Sequence, residues 1–133
     1  MDVTGIDHLV LYVEDVERSC EFYADALGVA DVEEFDGDRI ALDFGTTKLN
    51  LHRAGEEYVP HADAPTPGGA DFCLLVDEPM PTVLERLEDA GIPLVEGPVG
   101  KVGARGPLRS VYVRDPDGNL VELARQLDDG TTG

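Results

Sequence analysis

The chain has 133 residues, of which 28 are acidic and 10 basic, giving a formal net charge of -18 at pH 7. This charge disfavours nucleic acid as a partner, because phosphate binding requires a concentrated basic surface. The two cysteines are too few for a disulfide framework, no apolar run could span a bilayer, and the first residues lack signal-peptide features. We therefore expect a cytoplasmic protein without a membrane or nucleic-acid partner, whose acidic surface suits a halophilic source.

The first half of the chain predicts the element order βαβββ. Residues 6–13 alternate as a strand that places His8 and Tyr12 on one face. Asp15 suits the N-terminus of a helix, and apolar residues then recur at helical spacing up to Gly28. Three short strands separated by turn signals follow. The predicted elements are a strand at 6–13, a helix at 16–27, and strands at 30–35, 39–44 and 47–53.

The same order recurs after a proline-rich segment at residues 54–69, which we interpret as a linker or a lid. The turn sequence at residues 115–118, Asp-Pro-Asp-Gly, joins the last two strands as a hairpin. Residues 97–107 are rich in glycine and proline and predict a mobile loop, and residues 126–133 predict a disordered tail. The predicted elements are a strand at 70–76, a helix at 81–90, and strands at 92–96, 108–114 and 119–124.

The duplicated order predicts a single α+β domain made of two βαβββ repeats, at about 5–53 and 70–125. Neither half has enough apolar residues to bury both faces of its own sheet. Pairing the halves would give a cup-like eight-stranded mixed sheet around a shared cavity, with the helices outside. Glu122 is a candidate site residue. It is a carboxylate in mid-strand among apolar residues, and such a group must be exposed, paired or coordinated.

These features resemble the vicinal oxygen chelate superfamily, which includes glyoxalase I, bleomycin-resistance proteins and extradiol dioxygenases. The resemblance covers residues 5–125. It rests on the repeated βαβββ order, a histidine near the start of the first strand, and a helix that contains Phe22-Tyr23 and ends Leu27-Gly28. The hairpin at 114–119 leading to Glu122 completes the resemblance. Within the superfamily, residues 48–52 and 65–71 are similar to the branch called glyoxalase domain-containing protein 5.

The resemblance implies one divalent metal ion, with Fe, Mn, Ni and Zn not distinguished. Its ligands would come from inward residues on the first and last strands of each repeat. His8 and Glu122 fall on ligand positions directly, and with His52 they would form a 2-His-1-carboxylate set. Asn50 falls where many glyoxalases have glutamate, two residues before His52 and facing the same way. Asp71 stands where metal-binding members often have histidine, and would be a ligand or would orient a ligand histidine.

The implied function is a metal-dependent lyase or isomerase acting on a small metabolite with vicinal oxygens, with Glu122 as the catalytic residue. One alternative is an Fe(II) extradiol-type dioxygenase, and another is a non-catalytic binder of small molecules or antibiotics. A homodimer is expected, because paired-repeat folds often complete their cavity across a two-fold axis. Arg109 would serve as an anion anchor through its planar donor fork. The residues that would line the substrate pocket are Tyr12, Asn50, Arg109 and Tyr112.

Overall fold

The computed structural model describes residues 1–128 and divides into two compact units, Met1–Gly69 and Ala70–Gly133. Each unit holds one βαβββ repeat with its own four-stranded mixed sheet, so the predicted α+β fold of two repeats is confirmed. Within the described residues, no helix is both long enough and apolar enough to cross a membrane.

Unit 1 has β1 parallel to β4, and its other strand pairs are antiparallel, in the order β1-β4-β3-β2. Its elements are β1 (His8–Val13), α1 (Val16–Cys20), β2 (Asp31–Phe35), β3 (Arg39–Asp43) and β4 (Lys48–Arg53). Asp15 caps α1 by accepting a hydrogen bond from the Arg18 N–H at 3.2 Å. The chain then continues as a π-helix, Glu21–Ala26, up to Gly28, whose φ of 69° ends it. The predicted helix is therefore two consecutive helical segments.

Unit 2 repeats this topology with the strand order β5-β8-β7-β6, in which β5 is parallel to β8. Its elements are β5 (Asp71–Leu75), α2 (Met80–Asp89), β6 (Glu96–Gly103), β7 (Gly106–Arg114) and β8 (Leu120–Gln126). Pro81 lies in the first turn of α2, where its missing N–H leaves no helical hydrogen bond unmade.

The hairpin of β6 and β7 shows that the strand predicted at residues 92–96 and the mobile loop predicted at 97–107 were wrong. β6 is an edge strand, where a proline can be tolerated, and a bulge in its pairing with β7 surrounds Pro98. Gly97 has a φ of 108°, and a Cβ there would lie 2.6 Å from the carbonyl oxygen of Ser110. The glycine and proline that indicated a loop therefore belong to an irregular edge strand.

The disordered tail predicted at residues 126–133 falls mostly beyond what the structure describes, since residues 129–133 lie outside the described residues. Gln126 is the last residue of β8. The N–H of Leu127 donates to the Pro107 carbonyl at 2.9 Å, so the chain stays attached to β7 for one residue beyond the strand.

Each unit has one apolar sheet face, because side chains alternate along its strands. In unit 1 the largest buried apolar side chains are Leu11, Val13, Leu42, Leu49 and Leu51 of the sheet, with Tyr23 and Leu27 of the helical segment. In unit 2 the apolar face carries the buried side chains of Val111, Val113, Val121 and Leu123, with Met80, Val83 and Leu87 of α2. The opposite faces, polar face 1 and polar face 2, carry most of the predicted site residues.

Candidate functional site

Polar face 1 is formed on β1 and β4 by alternate residues of the two parallel strands. The register pairs His8 with Lys48, Val10 with Asn50, and Tyr12 with His52. Because paired residues on neighbouring strands point to the same side, all six side chains share this face. Four residues predicted for the site therefore lie together in unit 1: His8, Tyr12, Asn50 and His52.

His8 begins β1, and its side chain is about half exposed. Its Nδ1 lies 2.8 Å from Oδ1 of Asp7. A carboxylate on one ring nitrogen fixes the orientation of an imidazole and leaves the other nitrogen, Nε2, to bind a metal. The sequence reasoning missed Asp7, although the Asp-His dipeptide at the start of a strand was a usable signal.

Asn50 lies two register positions from His8. Given a rise of about 3.3 Å per residue and strands about 4.8 Å apart, their Cα atoms are about 8 Å apart. Asn50 is only 8% exposed, and its Oδ1 has no hydrogen-bond partner among residues 1–128. A buried acceptor without a partner is costly, so this oxygen is available to a cation or a ligand. We call His8 and Asn50 the first donor pair.

His52 is four register positions from His8, which is about 13 Å along the strands. The register therefore places His52 farther from His8 than Asn50 is, and we take Asn50 as the second donor of unit 1 below. The ligand set that combines His8 with His52 stays a prediction.

The His52 ring lies between two tyrosines and is 8% exposed. It meets Tyr12 and Tyr58 edge-on, with centroid distances of 5.8 Å and 5.1 Å. Burial lowers the pKa of His52, and the nearby Arg39 cation lowers it further. The imidazole is therefore neutral at pH 7, and its Nδ1 has no hydrogen-bond partner within the described part of the chain.

Residues 54–69, which we call the strap, are joined to the rest of unit 1 by two side-chain hydroxyls, those of Tyr12 on polar face 1 and Tyr58 in the strap. The N–H of Ala62 donates to the Tyr12 hydroxyl at 3.0 Å, and the Tyr58 hydroxyl donates to Oδ1 of Asp38 at 3.1 Å. The Arg39 guanidinium stacks 4.0 Å from the centroid of the Tyr58 ring. The strap thus covers part of polar face 1 as well as connecting the two repeats. The Tyr12 hydroxyl already accepts a hydrogen bond from it.

Polar face 2 places Glu122 at the centre of a cross-strand row. The register pairs Glu122 with Cys73 of β5 on one side and with Tyr112 of β7 on the other. Asp71 pairs with Leu120, so it stands two register positions from Glu122. This is the same offset that separates His8 from Asn50, and we call Asp71 and Glu122 the second donor pair.

Burial, and after it the Glu122 charge, raise the pKa values of both neighbours of Glu122. Partial burial and the Glu122 charge raise the pKa of the Cys73 thiol to about 11. Burial also raises the pKa of Tyr112, followed by the charge of Glu122 and a hydrogen bond to it. At pH 7 the row therefore contains a protonated thiol and a protonated phenol flanking one carboxyl group.

The turn that precedes β8 holds this row in place. Oδ1 of Asp115 accepts from the N–H groups of Asp117 and Asn119, each at 2.9 Å. The Asn119 side chain donates to Oδ2 of Asp115 at 2.8 Å and accepts from the N–H of Ala70 at 2.9 Å. These bonds attach the start of β8 to the residue just before β5, which brings Glu122 level with Cys73.

Arg109 does not lie on polar face 2. It pairs with Arg125 of β8, whereas Tyr112 pairs with Glu122, so the two side chains point to opposite sides of the sheet. The anion anchor proposed for Arg109 is therefore not part of the row around Glu122.

The donor atoms of the two pairs are of the types that bind divalent cations. Imidazole nitrogen, amide oxygen and carboxylate oxygens bind Mn, Fe, Ni and Zn, and the buried unpartnered oxygen of Asn50 is a donor without another use. In the part of the chain that the structure describes, no group of three or more His, Cys, Asp or Glu residues could by itself hold a metal ion. The candidate ligands are therefore two pairs, one in each unit.

Comparison with known proteins gives matches over almost the whole chain. A profile of the Glyoxalase/Bleomycin resistance protein/Dioxygenase superfamily matches residues 5–123. Virulence protein STM3117 of Salmonella typhimurium is 46% identical over 127 residues, which cover 96% of this chain and 88% of that protein. Its crystal structure matches with a TM-score of 0.92 and 44% identity, covering 96% of this chain and 100% of that chain.

Two other relatives carry names from the same group. Glyoxalase domain-containing protein RDO1 of Mycosarcoma maydis is 42% identical over 128 residues, covering 96% of this chain and 72% of that protein. The crystal structure of lactoylglutathione lyase from Agrobacterium tumefaciens matches with a TM-score of 0.70 and 26% identity, covering 94% of this chain and 96% of that chain.

Proposed function

Because this chain belongs to the Glyoxalase/Bleomycin resistance protein/Dioxygenase superfamily, we propose that it is a metal-dependent enzyme acting on a small metabolite with two neighbouring oxygens. The proposed reaction is of the lyase or isomerase type, as the name of the Agrobacterium relative suggests. The observation that best supports this proposal is the matching offset of the two donor pairs, which puts metal-binding side chains at equivalent positions of both repeats.

The proposed metal donors are the first donor pair, His8 with Asn50 in unit 1, and the second donor pair, Asp71 with Glu122 in unit 2. A divalent ion held by them would supply a Lewis acid for the two substrate oxygens. Asp7 supports this role for His8, because its carboxylate bonds Nδ1 and leaves Nε2 as the binding nitrogen.

Glu122 is the proposed proton carrier of the reaction. Tyr112 pairs with Glu122 across the strands, and the raised pKa of its phenol keeps it protonated as a donor facing that carboxylate. Cys73 is excluded as a nucleophile at neutral pH, because a thiol with a pKa of about 11 is almost entirely protonated there.

Metal analysis of protein purified without chelator tests this function. We expect about one equivalent of a transition metal in the wild type, and loss of that metal in both His8→Ala and Glu122→Ala variants. His61→Ala and Glu34→Ala are matched controls, because both residues are exposed and neither belongs to a donor pair, and both variants should keep the metal. A wild type that takes up no Mn, Fe, Ni or Zn, or a Glu122→Ala variant that keeps its metal, would overturn the proposal in favour of a binding protein.

Two activity assays separate the enzyme classes. A lyase or isomerase should turn over adducts of methylglyoxal with thiols and consume no oxygen. Oxygen consumption by the Fe(II)-loaded protein with a catechol would replace the lyase proposal with an extradiol-type dioxygenase.

Two further proposals concern the protein in solution. We propose a homodimer, which light scattering during size-exclusion chromatography would detect as twice the chain mass of 14.3 kDa. We also propose that the net charge of -18 is an adaptation to concentrated salt. The urea midpoint should then rise as KCl is raised towards molar concentrations, because counterions screen the repulsion between surface carboxylates.

A further inference from the structure

We propose that Asn50, His52 and Arg39 bind the hydroxyl and carboxylate groups of a small hydroxy acid on polar face 1. The inference rests on the proposed function and narrows its substrate class. It concerns side chains of unit 1 alone. Asn50 is also one of the proposed metal donors, so the test below is run without metal.

The first support is a pair of buried polar atoms that have nothing to bond. Asn50 and His52 are each 8% exposed, and they lie two residues apart on the same side of β4. Oδ1 of Asn50 and Nδ1 of His52 both lack a hydrogen-bond partner among residues 1–128. Such atoms are exceptions in folded proteins, and among those of residues 1–128 only these two stand at neighbouring positions of one sheet face, which indicates a site that a ligand completes.

The chemistry of these two atoms selects a hydroxyl group. An amide oxygen only accepts, so its ligand must donate a hydrogen bond, whereas Nδ1 of a neutral imidazole donates or accepts according to its tautomer. A hydroxyl both donates and accepts, and is therefore the smallest group that serves both positions. A carboxylate alone has no proton for Asn50. An ammonium group would donate to Asn50 but would be repelled by the nearby guanidinium of Arg39.

Arg39 is the proposed binding partner of the carboxylate of the hydroxy acid. Ile40 of β3 pairs with Leu51 of β4 in antiparallel register. Arg39, the residue before Ile40, therefore lies beside His52, the residue after Leu51, on polar face 1. Its guanidinium stacks on Tyr58, and its ion pair with Asp36 is long, 4.0 Å from Nε to Oδ2. Within the described residues this guanidinium therefore has no close ion pair, and its planar set of N–H donors suits a carboxylate.

The strap controls access to these groups. Both unpartnered atoms are shielded from solvent, and the Tyr58 ring of the strap lies 5.1 Å from the His52 ring. A ligand must therefore lift the strap, which is attached to the rest of unit 1 by the hydrogen bonds of Ala62 and Tyr58. Binding should accordingly expose the Ala62 N–H, which now bonds the Tyr12 hydroxyl.

Calorimetric titration of the full-length protein in excess EDTA tests the inference. The probes are glycerate, which has hydroxyls and a carboxylate, propionate, which has only the carboxylate, and glycerol, which has only hydroxyls. We expect glycerate to bind at least tenfold more tightly than either of the others. His52→Phe and Arg39→Met should each weaken glycerate binding at least tenfold.

Matched controls exist in the same unit. His61 lies in the strap with its Nδ1 bonded to the Ala62 carbonyl, and Arg53 lies on the other face of β4. His61→Phe and Arg53→Met should change glycerate affinity less than twofold. If the His52→Phe protein does not fold, Asn50→Leu serves in its place, with the same tenfold loss expected.

Equal affinity for glycerate and propionate, equal losses in the Arg39 and Arg53 variants, or no heat with any probe would each overturn the inference. The outcome is independent of the metal analysis, because the titration is run without metal. Protein that binds metal but not glycerate would keep the proposed enzyme and reject the hydroxy acid as its substrate class.

Discussion

Replacing Asn119 with alanine tests whether the turn before β8 holds the Glu122 row in register. Asn119 is 1% exposed, accepts from the Ala70 N–H at 2.9 Å and donates to the Asp115 carboxylate at 2.8 Å. A neutral hydrogen bond contributes about 1 kcal/mol and one to a charged group about 1.5–3 kcal/mol. We expect the free energy of unfolding to fall by about 3 kcal/mol, which moves the urea midpoint by about 1.5 M at an m-value of about 2 kcal/mol/M.

Asn50→Ala is the matched control, because Asn50 is also a buried asparagine but its Oδ1 has no partner among the described residues. Its substitution should change the free energy of unfolding by less than about 1 kcal/mol, since no hydrogen bond to that oxygen is lost. Urea unfolding followed by circular dichroism measures both variants. Equal destabilisation by the two substitutions would refute the assignment of the stability to the hydrogen bonds of Asn119.

Three further predictions concern single positions. In a Cys20→Ser background, alkylation of Cys73 should be slow at neutral pH and should accelerate as the pH approaches the thiol pKa of about 11. Glu122→Gln should shift this pH profile to lower pH, because it removes a negative charge beside the thiol. An unshifted profile would mean that the carboxylate does not act on the thiol. The folded-state pKa of His52 lies below its ordinary value of 6.5, so the unfolded chain binds more protons as the pH falls. The urea midpoint should therefore be steady above about pH 6.5 and decrease below it towards the folded pKa, and His52→Phe should make this decrease shallower. Gly97→Ala should cost about 3 kcal/mol or more, because its φ is 108° and the new Cβ would lie 2.6 Å from the Ser110 carbonyl oxygen. Gly100→Ala in the same strand meets nothing within 4 Å and should be nearly neutral in the same urea assay, so similar costs at both positions would contradict this explanation.

Side-chain alternation was enough to predict much of the two polar faces. The period-two pattern alone grouped His8 with Tyr12, and Glu122 with Ala124, and the register confirms both groupings. The same rule could have excluded Arg109 from the face of Tyr112, since their positions differ by an odd number along one strand.

Other features could not be predicted, because they depend on contacts between residues distant in sequence. Tyr58 lies in a segment without periodicity, and its edge-on contact with His52 and its stacking with Arg39 follow from how the strap folds back. Strand β6 contradicts local propensity, since Gly97 and Pro98 disfavour a strand, and pairing with β7 decides its conformation. The continuation of α1 as a π-helix has no signal in the apolar spacing that predicted one helix.

Every strand ladder closes within its own repeat, with the first strand of each repeat paired to its last. A peptide of half this length would therefore carry an intact sheet and one donor pair. Two tandem copies of such a unit would carry four donors from a single sequence pattern. Each copy can then diverge in donor chemistry without disturbing the other, and here one has imidazole with amide while the other has two carboxylates.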